Sequence, residues 1–385
     1  MVSVYLDHAA SGPLHPAAAD AMAGWLRAGF GNPSGSHHVA RRARAAVEDS
    51  RERVAFFLGM DPGEVVFTSG GTEADNLAVL GPLPGRPGAV VVSAVEHPAV
   101  LAAAHAGGRE VRTVGVGPDG LVAPERMRDL LGPDVALVSV QLANQETGVI
   151  QPLARISKLV RRLAPRAVLH TDAVQGAPWM DLRAVSPLVD LISISGHKLG
   201  GPQGVGALAV RSGLRLTSIS HGGGQERERR SGTHNVAAII GLGAAVAQLD
   251  PEAGPARWAR TAALRDRLAG RLAEQVPGAV ATAVDSPRVP GHCHFRFPGV
   301  ESEALLFMLD EAGVCASAGS ACASGALEPS PVLLAMGVDK AEAGSSLRMT
   351  LGPATTEQDV DAAAGAVAAA VEALRAASDP VPGEA

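Results

Sequence analysis

The sequence is poor in lysine, and this scarcity draws attention to the three lysines that it has. They are Lys158, Lys198 and Lys340, in a chain of 385 residues. Lys198 closes the sequence SGHK at 195–198, directly after the apolar run at 190–194. A lysine at the end of a buried strand, among small and polar residues, can hold its amine in a cleft and form a Schiff base with a carbonyl compound. Arginine would serve for charge alone, so the pattern favours a chemical role for Lys198.

Cysteine is equally scarce. The three cysteines, Cys293, Cys315 and Cys322, form no CxxC pair and are too few for the disulfide framework of a small secreted protein. We therefore expect three free thiols in reducing surroundings, and each of them must be considered separately.

Long apolar runs and basic tracts are also missing. No apolar run reaches the roughly 18–20 residues of a membrane-spanning helix, and residues 1–8 lack the basic start and apolar stretch of a signal peptide. The net charge is −6, the pI is near 6.1 and the basic residues form no long tract. We expect a globular cytoplasmic protein that binds neither a membrane nor nucleic acid directly. Aromatic residues make up only 3%, which indicates a core of Ala, Val and Leu.

Short β-branched runs bounded by turn residues recur along the first part of the chain, and they predict buried strands. These runs cover 65–68, 89–93, 111–114, 135–140, 168–171, 191–195 and 206–210. Helical patterns lie between them at 72–80, 98–106, 124–131 and 153–163. The alternation predicts an α/β fold with a mostly parallel seven-stranded sheet, and such sheets bind ligands at the carboxyl ends of their strands.

The pattern changes near residue 250. A long helix at 256–275 is followed by predicted elements at 293–297, 301–312, 346–351 and 357–376, with a segment of small residues at 316–325. We predict a large domain at 13–250 and a smaller α+β domain formed by residues 1–12 and 251–376. Residues 377–385 are rich in Pro and Gly and are predicted to be a disordered tail.

Four segments at predicted strand ends carry chemistry. Gly71 and Thr72 open a helix, where backbone N–H groups can hold a phosphate, although glycine turns before helices are common. Asp172 could hold a pyridinium N–H or could simply be a helix N-cap. His97 could stack on a ring or move protons, or could be a polar loop histidine. Together with Lys198, these residues describe a pyridoxal 5′-phosphate site.

Several further motifs resemble those of the cysteine desulfurases, which are pyridoxal phosphate enzymes of the class V aminotransferase group. They are YLDHAA at 5–10, GNPS at 31–34, residues 67–76, EH at 96–97, SGHK at 195–198, HGGGQE at 221–226, RSGT at 230–233 and residues 317–324. The resemblance is collinear over about residues 4–365. It implies a fold type I homodimer with a large cofactor domain and a small domain.

The resemblance also implies roles for individual residues. Lys198 would carry the cofactor, Asp172 would pair with the ring nitrogen, His97 would stack on the ring and Gln175 would contact the ring hydroxyl. The full set implied to hold the cofactor is Gly71, Thr72, His97, Gln145, Asp172, Gln175, Ser195, His197, Lys198 and Thr233. Thr233 would come from the partner subunit and would join the residues that hold the phosphate.

Arg348 is implied to clamp the substrate carboxylate, with Asn32 nearby. An arginine within an apolar strand pattern needs an anionic partner, which agrees with this role, although a structural ion pair would meet the same need. Gln145 occupies a position where the family usually has an asparagine that touches cofactor and substrate.

Among the thiols, Cys322 is the predicted nucleophile because it lies in a segment of small residues from which a thiolate can reach the site. Cys315 ranks lower because 313–315 reads as the start of a buried strand, where a cysteine usually serves as a small hydrophobe. His292, Cys293 and His294 suggest a metal site. However, alternate residues of a strand face opposite ways, so we predict no metal there.

The resemblance implies conversion of L-cysteine to L-alanine, with sulfur held as a persulfide on Cys322 and passed to a protein acceptor. The cysteine loop looks like the longer type of the family. Destinations of the sulfur include iron–sulfur cluster assembly, tRNA thiolation, DNA sulfur modification and a biosynthetic pathway. Two alternatives stay open: a selenocysteine lyase or other class V activity, and a weakly catalytic scaffold that binds a sulfur acceptor.

Overall fold

The computed structural model describes residues 4–249, 251–319 and 329–378. The strands are β1 Val4–Tyr5, β2 Val65–Thr68, β3 Ala89–Ser93, β4 Val111–Val114, β5 Val135–Ser139, β6 Val168–Asp172, β7 Leu191–Ser195, β8 Gly206–Val210, β9 Val280–Ala281, β10 His292–Arg296, β11 Val314–Cys315 and β12 Ser346–Thr350. The α-helices are α1 Pro16–Ala28, α2 His38–Leu58, α3 Gly71–Leu80, α4 Pro98–Ala106, α5 Pro124–Met127, α6 Leu153–Leu163, α7 Val236–Val246, α8 Gly254–Gln275, α9 Ser302–Glu311, α10 Pro331–Ala335, α11 Lys340–Ala343 and α12 Glu357–Ser378.

Strands β2 to β8 form one seven-stranded sheet, in the order β2-β8-β7-β6-β5-β3-β4. Strand β8 is antiparallel to both of its neighbours, and the remaining pairs in the sheet are parallel. The prediction of a mostly parallel seven-stranded sheet is confirmed. Strand β4, however, is less buried than predicted, because it forms an edge of the sheet and only Val114 of its residues is buried.

The sheet is covered on both faces, as expected for parallel strands. Alternate residues of β3 show the division: Val90 and Val92 pack in the cluster that contains helices α3 and α4, whereas Val91 packs in the cluster that contains α2, α6 and α7. This alternation follows from the period of two residues in a strand. The sequence patterns did not predict α1, α2 or α7.

A second apolar core surrounds the antiparallel sheet β12-β10-β9 and the parallel pair β1-β11. Helices α8, α9 and α12 contribute to it through residues such as Leu268, Leu309 and Val367, all fully buried. The predicted domain boundaries at residues 12 and 250 stay a prediction. Within the described residues, no helix combines the length and the apolar character needed to cross a membrane.

Candidate active site

The carboxyl ends of β2, β3, β6 and β7 bring the predicted residues to one edge of the large sheet. Gly71 opens α3 just after β2, and His97 precedes α4 just after β3. Asp172 ends β6, and Ser195 ends β7. The sequence therefore predicted correctly which strand ends carry these side chains, and parallel strands place such ends on the same side of a sheet.

Gly71 lies close against two neighbouring strand ends. A Cβ atom on this residue would lie 3.0 Å from Val174 Cγ2 and 3.4 Å from Ser195 Cβ. A larger residue would therefore fill the space at the start of α3, where unpaired N–H groups and the helix dipole favour an anion. Thr72 follows Gly71 and is exposed, whereas Ser195 is buried.

Asp172 is buried, and its Oδ1 accepts a hydrogen bond of 2.9 Å from the N–H of Val174. Turns rather than a helix follow β6, so the alternative reading of Asp172 as a helix N-cap is wrong. Burial raises the pKa of Asp172, and positive charge on His97 and Lys198 acts in the opposite direction. A cationic ring nitrogen at this carboxyl would favour its ionised form further.

Lys198 ends a short 3₁₀ turn, Gly196–Lys198, directly after β7. Its Nζ donates to the carbonyl oxygens of Ala9 and Ala10, and the Ala10 bond is 2.6 Å long. Gln175 Nε2 donates to the same Ala9 oxygen over 2.9 Å. The segment after β1 thus holds the lysine amine next to the predicted ring-contacting amide.

Two predicted histidines flank this region. His197 Nδ1 lies 3.3 Å from Ser11 Oγ, and burial together with the charge of Lys198 lowers the pKa of His197 to about 4. His97 Nδ1 accepts the N–H of Ala99 over 3.1 Å. That bond leaves Nε2 as the protonated nitrogen when the His97 ring is neutral.

Arg348, on β12, is buried and has an anionic partner within the chain. Its Nη2 lies 2.9 Å from Asp7 Oδ1, and its Nη1 donates to the carbonyl oxygen of Gln145 over 3.1 Å. The alternative of a structural ion pair is therefore present in the structure. Arg348 Nε and Gln145 Oε1 are nevertheless buried without a hydrogen-bond partner in the described part of the chain. Each of these two atoms therefore has an unused hydrogen-bonding capacity.

A cavity of about 450 Å³ borders Lys198. Lys198, Gln175 and Ala9 line it together with His292 and Thr350 from the smaller sheet, whereas Gly71, Thr72 and Asp172 do not. Its size lies in the usual range for small-molecule pockets. The lysine therefore lies between the strand-end residues and this cavity.

His292 lines the cavity, and Cys293 belongs to the apolar core on the other side of β10. The expected opposite orientation of these neighbours is confirmed. Burial, followed by the charge of Arg348, lowers the pKa of His292 and of His294 to about 3. Burial raises the pKa of Cys293 to about 12, so this thiol is not a candidate nucleophile.

The structure does not bring every predicted residue to the lysine. Asn32 is exposed and its Oδ1 accepts the N–H of Ser34 over 3.0 Å, and Thr233 is also exposed. Cys322 lies outside the described residues. Cys315 pairs with Tyr5 between β11 and β1 and is half-buried rather than buried, because β11 has only one neighbouring strand.

Sequence reasoning missed polar residues that lie directly beneath this edge of the sheet. Asp75, Glu96 and His170 are buried there, and Asp7 is the partner of Arg348. The sequence feature that could have identified them is a charged residue inside an apolar pattern, such as Asp75 within α3.

Known proteins resemble this chain over nearly its whole length. The model for the aminotransferase class-V family matches residues 4–363. The chain belongs to this family. An "IscS-like cysteine desulfurase" from Mycobacterium tuberculosis is 43% identical over 391 residues, which cover 97% of this chain and 98% of the relative.

Two further matches agree with this class V membership. A "Cysteine desulfurase IscS" from Dictyoglomus turgidum is 39% identical, with 97% of this chain and 96% of the relative covered. A solved NifS-like protein from Rickettsia africae has a TM-score of 0.87 and 30% identity, with 96% and 99% covered. The chain thus falls among the cysteine desulfurases and has the fold type I architecture.

Cysteine desulfurases of class V depend on pyridoxal 5′-phosphate, and the residues at the strand ends fit this group. Gly71 has no side chain to fill the space beside Val174 and Ser195 at the start of α3, where backbone N–H groups favour a phosphate. Asp172 offers a buried carboxyl for a pyridine nitrogen, and Lys198 offers an amine in the same edge of the sheet. These residues therefore fit the cofactor that the family uses.

Proposed function

We propose that this cysteine desulfurase converts L-cysteine to L-alanine and delivers the sulfur, through a persulfide on Cys322, to an acceptor protein. The observation that carries the proposal is the amine of Lys198 at the sheet edge that also holds Asp172 and Gly71. Membership of the family supports the same reaction. Pyridoxal phosphate, when bound, supplies the electron sink for bond cleavage at the substrate.

We assign the cofactor to the residues at the strand ends and to the partner subunit. The assigned residues are Gly71, Thr72, His97, Gln145, Asp172, Gln175, Ser195, His197, Lys198 and, from the second subunit, Thr233. The ionised carboxylate of Asp172 binds the ring nitrogen. The N-terminus of α3, together with Ser195 and His197, binds the phosphate. The protein is accordingly a homodimer in this proposal.

Arg348 binds the substrate carboxylate, with Asn32 and Gln145 beside it. Asp7 holds the guanidinium by Nη2, which leaves Nε to donate toward the substrate. A fixed guanidinium loses less rotamer entropy when it binds a carboxylate. Lys198 and His97 move protons at the reacting carbon, because both can present a nitrogen to it.

Cys322 is the proposed acceptor of sulfur. The high pKa of Cys293 removes that thiol from consideration, and Cys315 pairs with Tyr5 in a short strand. A thiolate is needed for attack on sulfur, and a cysteine in a segment of small residues can approach it.

The direct test measures L-alanine and sulfide from L-cysteine by the pyridoxal phosphate-loaded protein. Lys198→Ala and Cys322→Ala are expected to abolish turnover, whereas Cys315→Ala and the matched control Lys158→Ala keep it. Full turnover in Cys322→Ala would remove the persulfide assignment. Faster turnover of selenocysteine than of cysteine would favour a selenocysteine lyase. A loaded protein that forms no alanine but retains an acceptor would favour the scaffold.

A second test concerns the shared site. A mixture of Lys198→Ala and Thr233→Ala subunits forms some heterodimers with one intact site, provided that Thr233 acts across the interface. We expect the mixture to regain activity that neither variant has alone. Absence of regained activity, with heterodimers verified by mass, would assign Thr233 to its own subunit.

A further inference from the structure

A column of polar side chains lies beneath Asp172, on the face of the sheet that α3 and α4 cover. It consists of Asp75 from α3, Glu96 just before α4, Ser139 on β5, His170 on β6 and Ser193 on β7. All five are buried. His170 precedes Asp172 by two residues and so shares its side of β6, and Ser193 pairs with Asp172 across the sheet.

Hydrogen bonds connect Glu96 through Ser139 and His170 to Ser193, and Ser193 is also a hydrogen-bond partner of Asp75. Glu96 Oε1 accepts from the Ser93 hydroxyl and, over 2.8 Å, from the N–H of Gln141. Glu96 Oε2 lies 3.5 Å from Ser139 Oγ, and Ser139 Oγ lies 2.8 Å from His170 Nδ1.

On its other side, His170 Nε2 lies 3.0 Å from Ser193 Oγ and 3.7 Å from Asp75 Oδ1. That Asp75 oxygen is buried without a hydrogen-bond partner in the described chain. His170 therefore lies between the two acids in the column.

The column contains two carboxyl groups but no fixed cation. Within the described residues, no arginine or lysine forms an ion pair with Asp75 or Glu96; the one basic neighbour of Asp75 is His170. An ionised carboxylate buried without a counter-ion is strongly unfavourable. Burial raises the pKa of Glu96 to about 8 and lowers that of His170 to about 3, and burial followed by the charge of Asp172 raises the pKa of Asp75.

We propose that Asp75 and Glu96 are neutral positioning residues that hold His170 as its Nε2–H tautomer and leave Asp172 as the one anion at the top of the column. Glu96 Oε2–H donates to Ser139, whose hydroxyl donates to His170 Nδ1. His170 Nε2–H donates to Ser193, whose hydroxyl donates to Asp75. This proposal rests on the proposed role of Asp172 at the ring nitrogen.

The arrangement matters because like charges raise one another's pKa values. A second carboxylate in the column would favour protonation of Asp172 and would weaken its bond to a cationic ring. A neutral column instead supports Asp172 through packing and hydrogen bonds without competing for its charge.

The first test reads the histidine directly. In the cofactor-loaded protein with ¹⁵N-labelled histidine, His170 is assigned by its loss in His170→Gln. At neutral pH we expect two widely separated nitrogen signals, with the proton on Nε2. Two similar nitrogen signals, typical of an imidazolium, would show a charged His170–Asp75 pair and overturn the proposal. A proton on Nδ1 would also overturn it.

The second test uses isosteric amides. Glu96→Gln and Asp75→Asn are expected to bind pyridoxal phosphate within about threefold of the parent Kd, with an unshifted pH profile below about pH 7.5. If either acid is ionised in the parent, removing its charge lowers the pKa of Asp172. Its amide variant will then bind the cofactor down to a lower pH, with the acid midpoint displaced downward by about one unit or more. That displacement would overturn the proposal. Each variant is checked for a cooperative thermal unfolding transition. If one of the two variants does not fold, the other serves for the test.

Asp172→Asn separates this proposal from the one on which it rests. If Asp172→Asn binds pyridoxal phosphate as the parent does, the proposed role of Asp172 at the ring nitrogen has failed. If Asp172→Asn loses affinity while an amide variant shows the displaced profile, only the neutral column has failed.

Discussion

Two buried polar clusters, one beside β2 and the other against β5, β6 and β7, accommodate buried carboxyl groups in different ways. In one, Glu226 accepts from Arg51 Nη1 and Nη2 over 2.7 and 2.8 Å and lies 2.6 Å from His234 Nε2. In the other, Asp75 and Glu96 have no arginine or lysine ion pair in the described chain. The first cluster is ionic and the second is a chain of hydroxyl, imidazole and carboxyl groups.

The difference teaches what each cluster is suited to do. Burial by itself would raise the pKa of Glu226, but hydrogen bonds from Arg51 and His234 lower it to about 2. The ionic cluster also holds a turn in which Glu226, Arg227 and Glu228 have positive φ angles of 48°, 56° and 65°. A non-glycine residue keeps a positive φ angle only where the surrounding contacts stabilise that backbone conformation. The neutral column carries no comparable strain and lies under the candidate site.

The largest expected effect comes from breaking the ionic cluster. Glu226→Ala leaves Arg51 buried without its carboxylate, so we expect the free energy of unfolding to fall by about 3–5 kcal/mol. Urea unfolding followed by circular dichroism measures this loss. Glu125→Ala is the matched control, because its pair with Arg155 is exposed and its removal should change little. Equal effects of the two variants would contradict the assignment of the ion pair as structural.

A smaller effect is expected where the neutral column is interrupted. Ser139→Ala removes the link between Glu96 and His170 and leaves a buried ring nitrogen without its partner. We expect a loss of about 1–3 kcal/mol in the free energy of unfolding, by the same urea measurement. Ser218→Ala removes an exposed hydroxyl and serves as the control. A neutral result for Ser139→Ala would show that water or rearrangement replaces the link.

The pH dependence of stability should differ in sign between the clusters. The folded-state pKa of Glu226, about 2, is below its ordinary 4.5, so its contribution is present above pH 4.5 and is lost as pH falls toward 2. The folded-state pKa of Glu96, about 8, is above 4.5, so its contribution is present below pH 4.5 and is lost as pH rises toward 8.

Relative to the parent, Glu226→Gln should therefore be most destabilised at neutral pH, whereas Glu96→Gln should be most destabilised in acid and least near pH 8. Urea titrations between about pH 2 and about pH 8 test both variants. If the free energy of unfolding of the two variants changed with pH in the same direction, the two clusters would have the same charge state.

The smallest effect concerns a third kind of buried titratable group, a thiol that packs in an apolar core. Cys293 lies in the core with Leu268 and Phe295, and its pKa is raised to about 12 by burial. We expect iodoacetamide to leave Cys293 unmodified in the folded protein, by peptide mass analysis, and Cys293→Ala to keep cysteine turnover. Labelling in urea is the control. Modification of the native protein at Cys293 would show that β10 opens to solvent.

The local sequence was sufficient to locate the strands and to place the candidate site residues at their ends, because both depend on patterns within a few residues. The predicted run at 191–195 coincides with β7, and Lys198 follows it as expected. The edge position of β4 and the reversal of β8 depend on which strands become neighbours. A pattern of short apolar runs does not encode that choice.

The buried polar partners were out of reach for the same reason. Arg51 and Glu226 are 175 residues apart, and Asp7 and Arg348 are 341 apart. Each residue taken alone looks like an ordinary charged position in a helix or loop. Only the assembled fold shows that the partner of Arg348 comes from the segment after β1.

The segment after β1 is synthesised early, yet it forms hydrogen bonds with β12, which is synthesised late. The amine of Lys198 is bonded to Ala9 and Ala10, while the Ala9 N–H donates to Thr350 Oγ1 over 2.8 Å and the Thr350 N–H donates to Leu6 O over 2.6 Å. Contacts of such long sequence separation form late in folding. Until Thr350 has left the ribosome, the hydrogen bonds that hold the segment after β1 are incomplete, so the surroundings of Lys198 are completed only after most of the chain has been synthesised.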